Sequence, residues 1–258
     1  MLKHQLTAIV FISILLLLKI ISFFIVIEIS YFILVAALWL AVVLWGSSFI
    51  SSNYHVKSYC SNPLETEKKI AITFDDGPNP NTLLILEVLK KHNVKAAFFC
   101  IGKNIEKYPE IFEQVISENH IVANHSYGHS SLFDFFRKSQ VIDELNKTDS
   151  IIAKVLGKKP LFFRPPYGVT TPSIRRALEV TKHKLIGWNV RSLDGIIKNE
   201  KIIFNRIIKR VKPGAIILMH DTTFESVSVL EQLLLFLKKN NYKVVAIDQL
   251  LNLKAYEN

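Results

Sequence analysis

From Lys69 to the C-terminus the chain repeats one alternation: a short apolar run, then a longer stretch with apolar residues at helical spacing. KIAITF, KAAFFC, HIVANH, PLFFRPP, HKLIGWNV, GAIILMHD and YKVVAI read as strands. LLILEVLKKH, IEKYPEIFEQVISEN, SQVIDELNKTDSIIAKVLG, TPSIRRALEVTK, KIIFNRIIKRV and SVSVLEQLLLFLKKNN read as the helices between them. Asn81 is placed to cap the first helix, Pro109 and Pro172 lie near helix starts, and Gly157 stops the third. The strand runs are apolar throughout, as in parallel strands covered on both faces by crossover helices. About seven such units predict a barrel-like α/β domain rather than an open sheet.

The N-terminal segment obeys a different rule. Between Leu6 and Ile50 the only formally charged residues are Lys19 and Glu28. As helix, this stretch would reach roughly 65 Å, about twice the hydrocarbon thickness of a bilayer. Two membrane helices are expected, near Leu6–Val26 and Tyr31–Ile50, turning at Glu28–Ser30. Tyr31, Trp39 and Trp45 suit the membrane interfaces. The run is too long for a cleaved signal peptide. A single long anchor is the alternative, with Lys19 snorkelling to an interface. Residues 1–50 thus read as a transmembrane anchor of an integral cell-membrane protein, 51–68 as a linker and 69–258 as the α/β domain. Two crossings return the chain to its starting side, which the bias of basic residues makes the cytoplasm; one crossing places the domain outside.

Outside the anchor, 30 Lys and Arg stand against 21 Asp and Glu, a net +9 over residues 51–258. That balance favours an anionic surface or polymer as partner. No nucleic-acid motif and no basic helix interleaved with aromatics accompanies it, so nucleic acid is not expected. Cys60 and Cys100 form no CxxC pair, and Cys100 reads as a small core residue.

The apolar runs end in chemistry. KIAITF leads into Asp75-Asp76, HIVANH into HSYGH, FFRPP into Tyr167-Gly168, and ILM into His220-Asp221. Parallel α/β folds collect such strand ends on one face, so these residues point into a shared cleft. Adjacent acids repel, and each needs its own partner. His125 and His129, four apart, can meet on one helical turn and with one of the two acids make a three-ligand site. Zn²⁺ suits that set; Co²⁺, Mn²⁺, Fe²⁺ and Ni²⁺ are chemically possible. The other acid is then free to take a proton from an attacking water. Gly77-Pro78 turns the chain so that both carboxylates can face the cleft. The remaining histidines read as structural, His120 and His183 at helix–strand junctions and His55 and His92 on the surface. The sequon Asn124-His125-Ser126 reads as coincidence.

TFDDGP, HSYGH, RPPYG and ILMHD, in this order from roughly Lys69 to Leu250, resemble the polysaccharide deacetylase family with its NodB-homology domain. The resemblance implies a distorted (β/α) barrel with the site at its strand ends. It also implies a hydrolase that removes N-acetyl groups from chitin-like or peptidoglycan-like glycans, with an N-acetylated glycan as partner beside the membrane lipid. By position, Asp75 matches the general base, and Asp76, His125 and His129 the metal ligands. Arg164 matches the arginine paired with the base. Tyr167 would offer its backbone N–H to the oxyanion, Pro166 and Leu218 match cleft-lining positions, and His220 matches the general acid.

One motif departs. Where many members read Asp-Ser-x-Asp-Trp, this chain reads Arg191-Ser192-Leu193-Asp194-Gly195. The first Asp tunes the acid histidine in such members and the Trp walls the sugar cleft, so both functions are open here. Asp194 or Asp221 could hold His220 instead. Arg191 adds positive charge and favours an anionic substrate. Two other functions remain in view: a deacetylase or deformylase of a lipid-linked amino sugar, and a non-catalytic membrane-anchored glycan-binding protein.

Overall fold

The computed structural model describes residues 3–257. In chain order the elements are α1 (Lys3–Ile21), α2 (Ile29–Ser48), β1 (Ser58–Tyr59), β2 (Lys69–Asp75), α3 (Pro80–Lys91), β3 (Ala97–Cys100), α4 (Gly102–Lys107), α5 (Pro109–Ser117), β4 (Ile121–Asn124) and α6 (Lys138–Leu156). They continue with β5 (Phe162–Phe163), α7 (Pro172–Thr181), β6 (Lys184–Ile186), β7 (Val190–Arg191), α8 (Glu200–Ile208), β8 (Ile216–His220), α9 (Phe224–Lys239), β9 (Lys243–Val244) and α10 (Ile247–Leu251).

Among the described residues the strands form one sheet in the order β1-β6-β5-β4-β3-β2-β8-β7, with β9 also on β2, and every pairing between these strands is parallel. The expected strand HKLIGWNV is two strands. β6 pairs with β5 and β1, while β7, four residues on, pairs with β8 at the far end of the order. One segment therefore spans the seam, and the parallel sheet curls into an incomplete barrel. This is the barrel-like arrangement the sequence pattern predicts and the distorted (β/α) barrel the resemblance implies. Ile70, Ile72 and Phe74 of β2 are buried among Leu86, Phe98, Ile217 and Leu233, so β2 is the central stave. Its last residue, Asp75, lies in register with Phe99 and His220.

Local corrections have simple causes. The cap of α3 is Asn79, not Asn81: its side chain accepts from Asn81 N–H, and the Thr82 hydroxyl accepts from Asn79 N–H. The predicted helix IEKYPEIFEQVISEN breaks at Tyr108, because Pro109 lacks the N–H that would continue it and starts α5 instead. The last predicted strand, YKVVAI, pairs as a strand only at Lys243–Val244, and Ile247 already opens α10.

α1 and α2 are long and apolar enough to cross a membrane. Their bounds differ from expectation. α1 ends at Ile21, so Lys19 falls in its last turn, and the connection runs through residues 22–28, with Glu28 immediately before α2. Lys19 thus sits at the hairpin tip rather than in mid-span. The helices pack side by side, with Phe11 and Trp39 stacked at 6.0 Å. Ile50 is outside α2 and buried with Phe163, Leu178 and Leu185 of the barrel.

The segment 51–68 is not a free linker. Ser58–Tyr59 adds a strand to the sheet edge, Ser61 bridges Ala215, and Asn62 donates to Leu250 O. Asn53, with a left-handed φ of 53°, turns its side chain onto the N–H and hydroxyl of Ser58. His55, expected on the surface, is buried; its Nε2 meets Ser47 Oγ at 2.9 Å and burial pushes its pKa down to about 4. His120 is likewise buried at about 4 and accepts from Ala96 N–H, and His183 meets Asp149 at 3.1 Å. His92 is largely covered and bonds Glu231 at 3.0 Å.

Candidate active site

Asp75 and Asp76 are neighbours with opposite fates. Asp75 is the last residue of β2 and turns into the barrel, where Arg164 Nη1 donates to its Oδ1 at 2.6 Å. Arg164 follows β5, is fully buried, and spends its other donors on Thr73 Oγ1, Ile186 O and Gly187 O. The guanidinium stacks on Phe99 at 3.9 Å. It therefore holds the acid and ties the β6–β7 seam to β2, so the ion pair and the barrel's closure depend on the same side chain.

Asp76 leaves the strand with φ 77°, which swings its carboxylate to the other side, and Asn104 Nδ2 holds its carbonyl at 2.7 Å. Gly77, the next residue, has no room for a side chain: a Cβ there would lie 2.1 Å from Asp221 Oδ2. Asp76 Oδ1 lies 3.4 Å from His125 Nε2 and 3.2 Å from His129 Nε2. It is buried and accepts no hydrogen bond.

His125 and His129 meet, but not on a helical turn. HSYGH is a loop with left-handed φ at Ser126 and His129. Glu144 of α6 accepts from the N–H groups of Tyr127 and Gly128, and Asn124 Oδ1 from Ser126 N–H. Those anchors, not helical periodicity, bring the two rings to 5.1 Å. His125 Nδ1 faces Arg164 O at 2.7 Å, a contact made as donor, which leaves the Nε2 lone pair aimed at Asp76.

The set fits a divalent cation. Two ligands at 2.0–2.2 Å in tetrahedral geometry stand about 3.4 Å apart, close to the separations found. The three ligand atoms lie within 4.8 Å of one another. Electrostatics agree. Burial pushes Asp76 up, yet the two histidines beside its carboxylate outweigh it and hold its carboxyl far below the usual range. His125, fully buried, is nevertheless raised by Asp75 and Asp76. This is a pocket built for positive charge.

On the strand next to β2, His220 ends β8 in register with Asp75. Its Nδ1 meets Asp194 Oδ1 at 2.7 Å, and its backbone N–H donates to Asp194 Oδ2 at 2.8 Å. Asp194 also accepts from Ser192 Oγ, Ser226 Oγ and Gly195 N–H. Burial works to lower the imidazole, but the Asp194 bond and charge prevail and raise it to about 9. The His220 imidazole is thus held without an Asp at position 191. Asp221 plays no part in it: its carboxylate turns away and accepts from Thr82 Oγ1 at 2.6 Å, and burial raises it to about 7.

The remaining expected residues divide. Tyr167 and Leu218 line the cleft with Asp75, Asp76, His125, His129 and His220. Tyr167 has φ 61° and sets its ring edge-on to His129 at 5.0 Å. Pro166 does not line the cleft. It is buried as the first residue of a 3₁₀ turn, and Pro165, at that turn's cap, forms the wall. Trp188, which the sequence reading passed over, lines the cleft together with Arg191, Gly195 and Ile196. The signal was its position, near the end of the predicted strand HKLIGWNV.

Comparison with known proteins accounts for this arrangement. The family described as polysaccharide deacetylase matches residues 64–186. The Bacillus subtilis peptidoglycan-N-acetylmuramic acid deacetylase PdaA is 33% identical over 190 residues, 72% of this chain and 72% of that protein. This chain belongs to the polysaccharide deacetylase family. Another deacetylase of this family, the Bacillus subtilis peptidoglycan-N-acetylmuramic acid deacetylase PdaC, is 34% identical over 73% of this chain, but the chain spans only 40% of its length. The crystal structure of the Bc1960 peptidoglycan N-acetylglucosamine deacetylase superposes with a TM-score of 0.73 at 30% identity, covering 78% of this chain and 95% of that one. The fold is also that of a CE4 family pseudoenzyme from Bacillus anthracis, with a TM-score of 0.68, 29% identity and coverage of 72% and 66%. Polysaccharide deacetylase folds therefore occur without activity, and function has to be argued from the residues of the cleft.

Proposed function

We propose that the chain is a metal-dependent hydrolase that removes N-acetyl groups from amino sugars of a peptidoglycan-like glycan. One observation carries this: Asp76, His125 and His129 converge on one point, Asp75 stands beside them held by Arg164, and His220, its register partner on β8, lines the same cleft. Asp76 Oδ1 and the Nε2 atoms of His125 and His129 would hold the cation. Zn²⁺ fits such a mixed N/O set, and when bound it would polarise the amide carbonyl and acidify the attacking water.

The protein's own groups do the rest. Asp75, oriented by Arg164, takes a proton from the water as it adds to the carbonyl carbon. The backbone N–H of Tyr167 donates to the carbonyl oxygen as it gains charge, and Leu218 packs against the acetyl methyl. His220 enters protonated, because Asp194 holds its Nδ1, and Nε2 gives its proton to the departing amine. The products are acetate and a free amino sugar.

Replacing Asp75 by Asn keeps size and hydrogen bonding but removes the base. The variant is expected to retain its metal by elemental analysis and to release acetate from acetylated oligosaccharides about 10² to 10⁴ times more slowly. Undiminished turnover would remove Asp75 as base, and an inactive wild-type chain loaded with Zn²⁺ or Co²⁺ would leave the glycan-binding reading in its place.

A second reading rests on the hairpin. Thr170 N–H donates to Ser47 O at the end of α2, three residues after Tyr167 on the cleft wall. With α1 and α2 in a membrane, that bond keeps the cleft beside the bilayer, which suits an amino sugar carried on a lipid. The start of α1 lies against the exit of α2, with Lys3 Nζ on Ser52 O and His4 N–H on Tyr54 O. This supports two crossings, with the N-terminus and the domain on one side. Protease accessibility in intact spheroplasts identifies the side.

A further inference from the structure

We infer that Arg191 is an anion-recognition residue of the cleft, selecting an N-acetylated sugar that carries a negative group close to the scissile amide. The inference rests on the deacetylase reading for the place of the amide, but on separate observations for the anion.

Charge pairing inside the cleft is the first. Asp75 is paired with Arg164, Asp194 with His220, and Asp76 lies between His125 and His129. Among the described residues no acid lies within ion-pair distance of Arg191, and no hydrogen bond is made by its guanidinium. The acids that face the substrate are thus already compensated, and a cation bound at Asp76 would add further positive charge. Arg191 is the uncompensated charge of the lining.

Position is the second. Arg191 lies on β7, in register with Leu218 of β8, two residues before His220. Its backbone is fixed on both sides: the strand pairs with β8, and Arg206 Nε donates to its carbonyl. The guanidinium rests near the face of Trp188, 5.7 Å from the ring centroid, while the residue as a whole is exposed. A guanidinium held on an aromatic face keeps its planar N–H fork free, and that fork matches a carboxylate or a phosphate. The neighbouring Arg206 adds positive potential rather than a partner.

Two sources could supply the anion, a carboxylate on the sugar itself or the diphosphate of a lipid-linked sugar. Binding measured by calorimetry separates them and requires no turnover. The probes are a neutral N-acetylglucosamine tetramer, an oligosaccharide of equal length bearing a lactyl carboxylate, and N-acetylglucosamine polyprenyl diphosphate in detergent micelles. The full chain is expected to prefer one anionic probe over the neutral one. Arg191→Ala should cut that preference about ten-fold, and Arg191→Lys should keep part of it. The preference should weaken with added salt. Loss confined to the carboxylate or to the diphosphate probe names the source. Equal preference in the wild type and in Arg191→Ala, with circular dichroism showing both folded, overturns the inference. A chain that releases no acetate yet shows the Arg191-dependent preference would sink the deacetylase reading and leave the anion site standing.

Discussion

The cleft and the base of the helical hairpin are both lined with polar groups, but their partners come from different ranges of the chain. In the cleft, Asp75 meets Arg164 across 89 residues, and Asp194 meets His220 across 26. At the hairpin base Ser52 bonds Gly46, Ser47 meets His55 and Ser58 bonds Asn53, with separations of six, eight and five. The first set exists only once the barrel has closed, since Arg164 reaches the seam and the central strand together. The second can form locally, as soon as α2 ends. The cleft partners are also charged and buried, so removing one leaves an uncompensated ion, whereas the base relies mainly on neutral groups. Thr170 N–H on Ser47 O is the bond that joins the two regions.

The largest expected effect tests whether the cleft is a metal site at all. His125→Ala should bring metal content near zero by elemental analysis and reduce acetate release by at least about 10³-fold. The hairpin should not register the change, and detergent extraction from membranes should stay as in the wild type. Unchanged metal content would dissolve the ligand set.

Asp194→Asn comes next. His220 is raised to about 9, chiefly by Asp194, with smaller contributions from Asp75 and Asp76. A raised histidine is protonated below that value, so turnover should fall as pH rises through about 9. The Asn variant loses the main raising influence. Its alkaline limb should move to lower pH, with a turnover loss of about 10²-fold at neutral pH. The same pair adds stability that is complete below the ordinary pKa of 6.5 and disappears as pH climbs through about 9. An alkaline limb that stays in place would detach His220 from the acid role.

This contrast also explains what the sequence could tell. The alternation of apolar runs and helical patterns announced parallel βα units, because buried parallel strands leave no other composition. The strand-end motifs announced that one acid of Asp75-Asp76 would meet His125 and His129, since the fold class gathers strand ends, and the family resemblance named Asp76 as that acid. The means of gathering stayed hidden: Glu144 pinning the HSYGH loop, and the five donors on Asp194, are contacts between distant residues that carry no local pattern. Pro165 and Pro166 could not be told apart, because which of two prolines faces the cleft depends on one backbone turn. β1 was missed for another reason. SSNYHVKSYC is polar in composition, yet Asn53 turns it and the barrel edge buries it.

The smallest effect probes the hairpin base. Gly46 lies under Tyr54, and a Cβ at 46 would stand 2.4 Å from the Tyr54 ring. Gly46→Leu must push that ring aside and break its hydroxyl contact with Thr7, now 2.6 Å. Overpacking of this kind costs about 1–3 kcal/mol. Because these partners lie within the hairpin and the segment that follows it, the cost should stay there. Limited proteolysis within residues 49–57 should speed up, while acetate release from a soluble oligosaccharide should change by no more than about two-fold. A loss as deep as that of Asp194→Asn would mean that the Thr170–Ser47 bond sets the cleft wall as well as its distance from the membrane. The two regions would then work as one unit, with Tyr167 positioned by the end of α2.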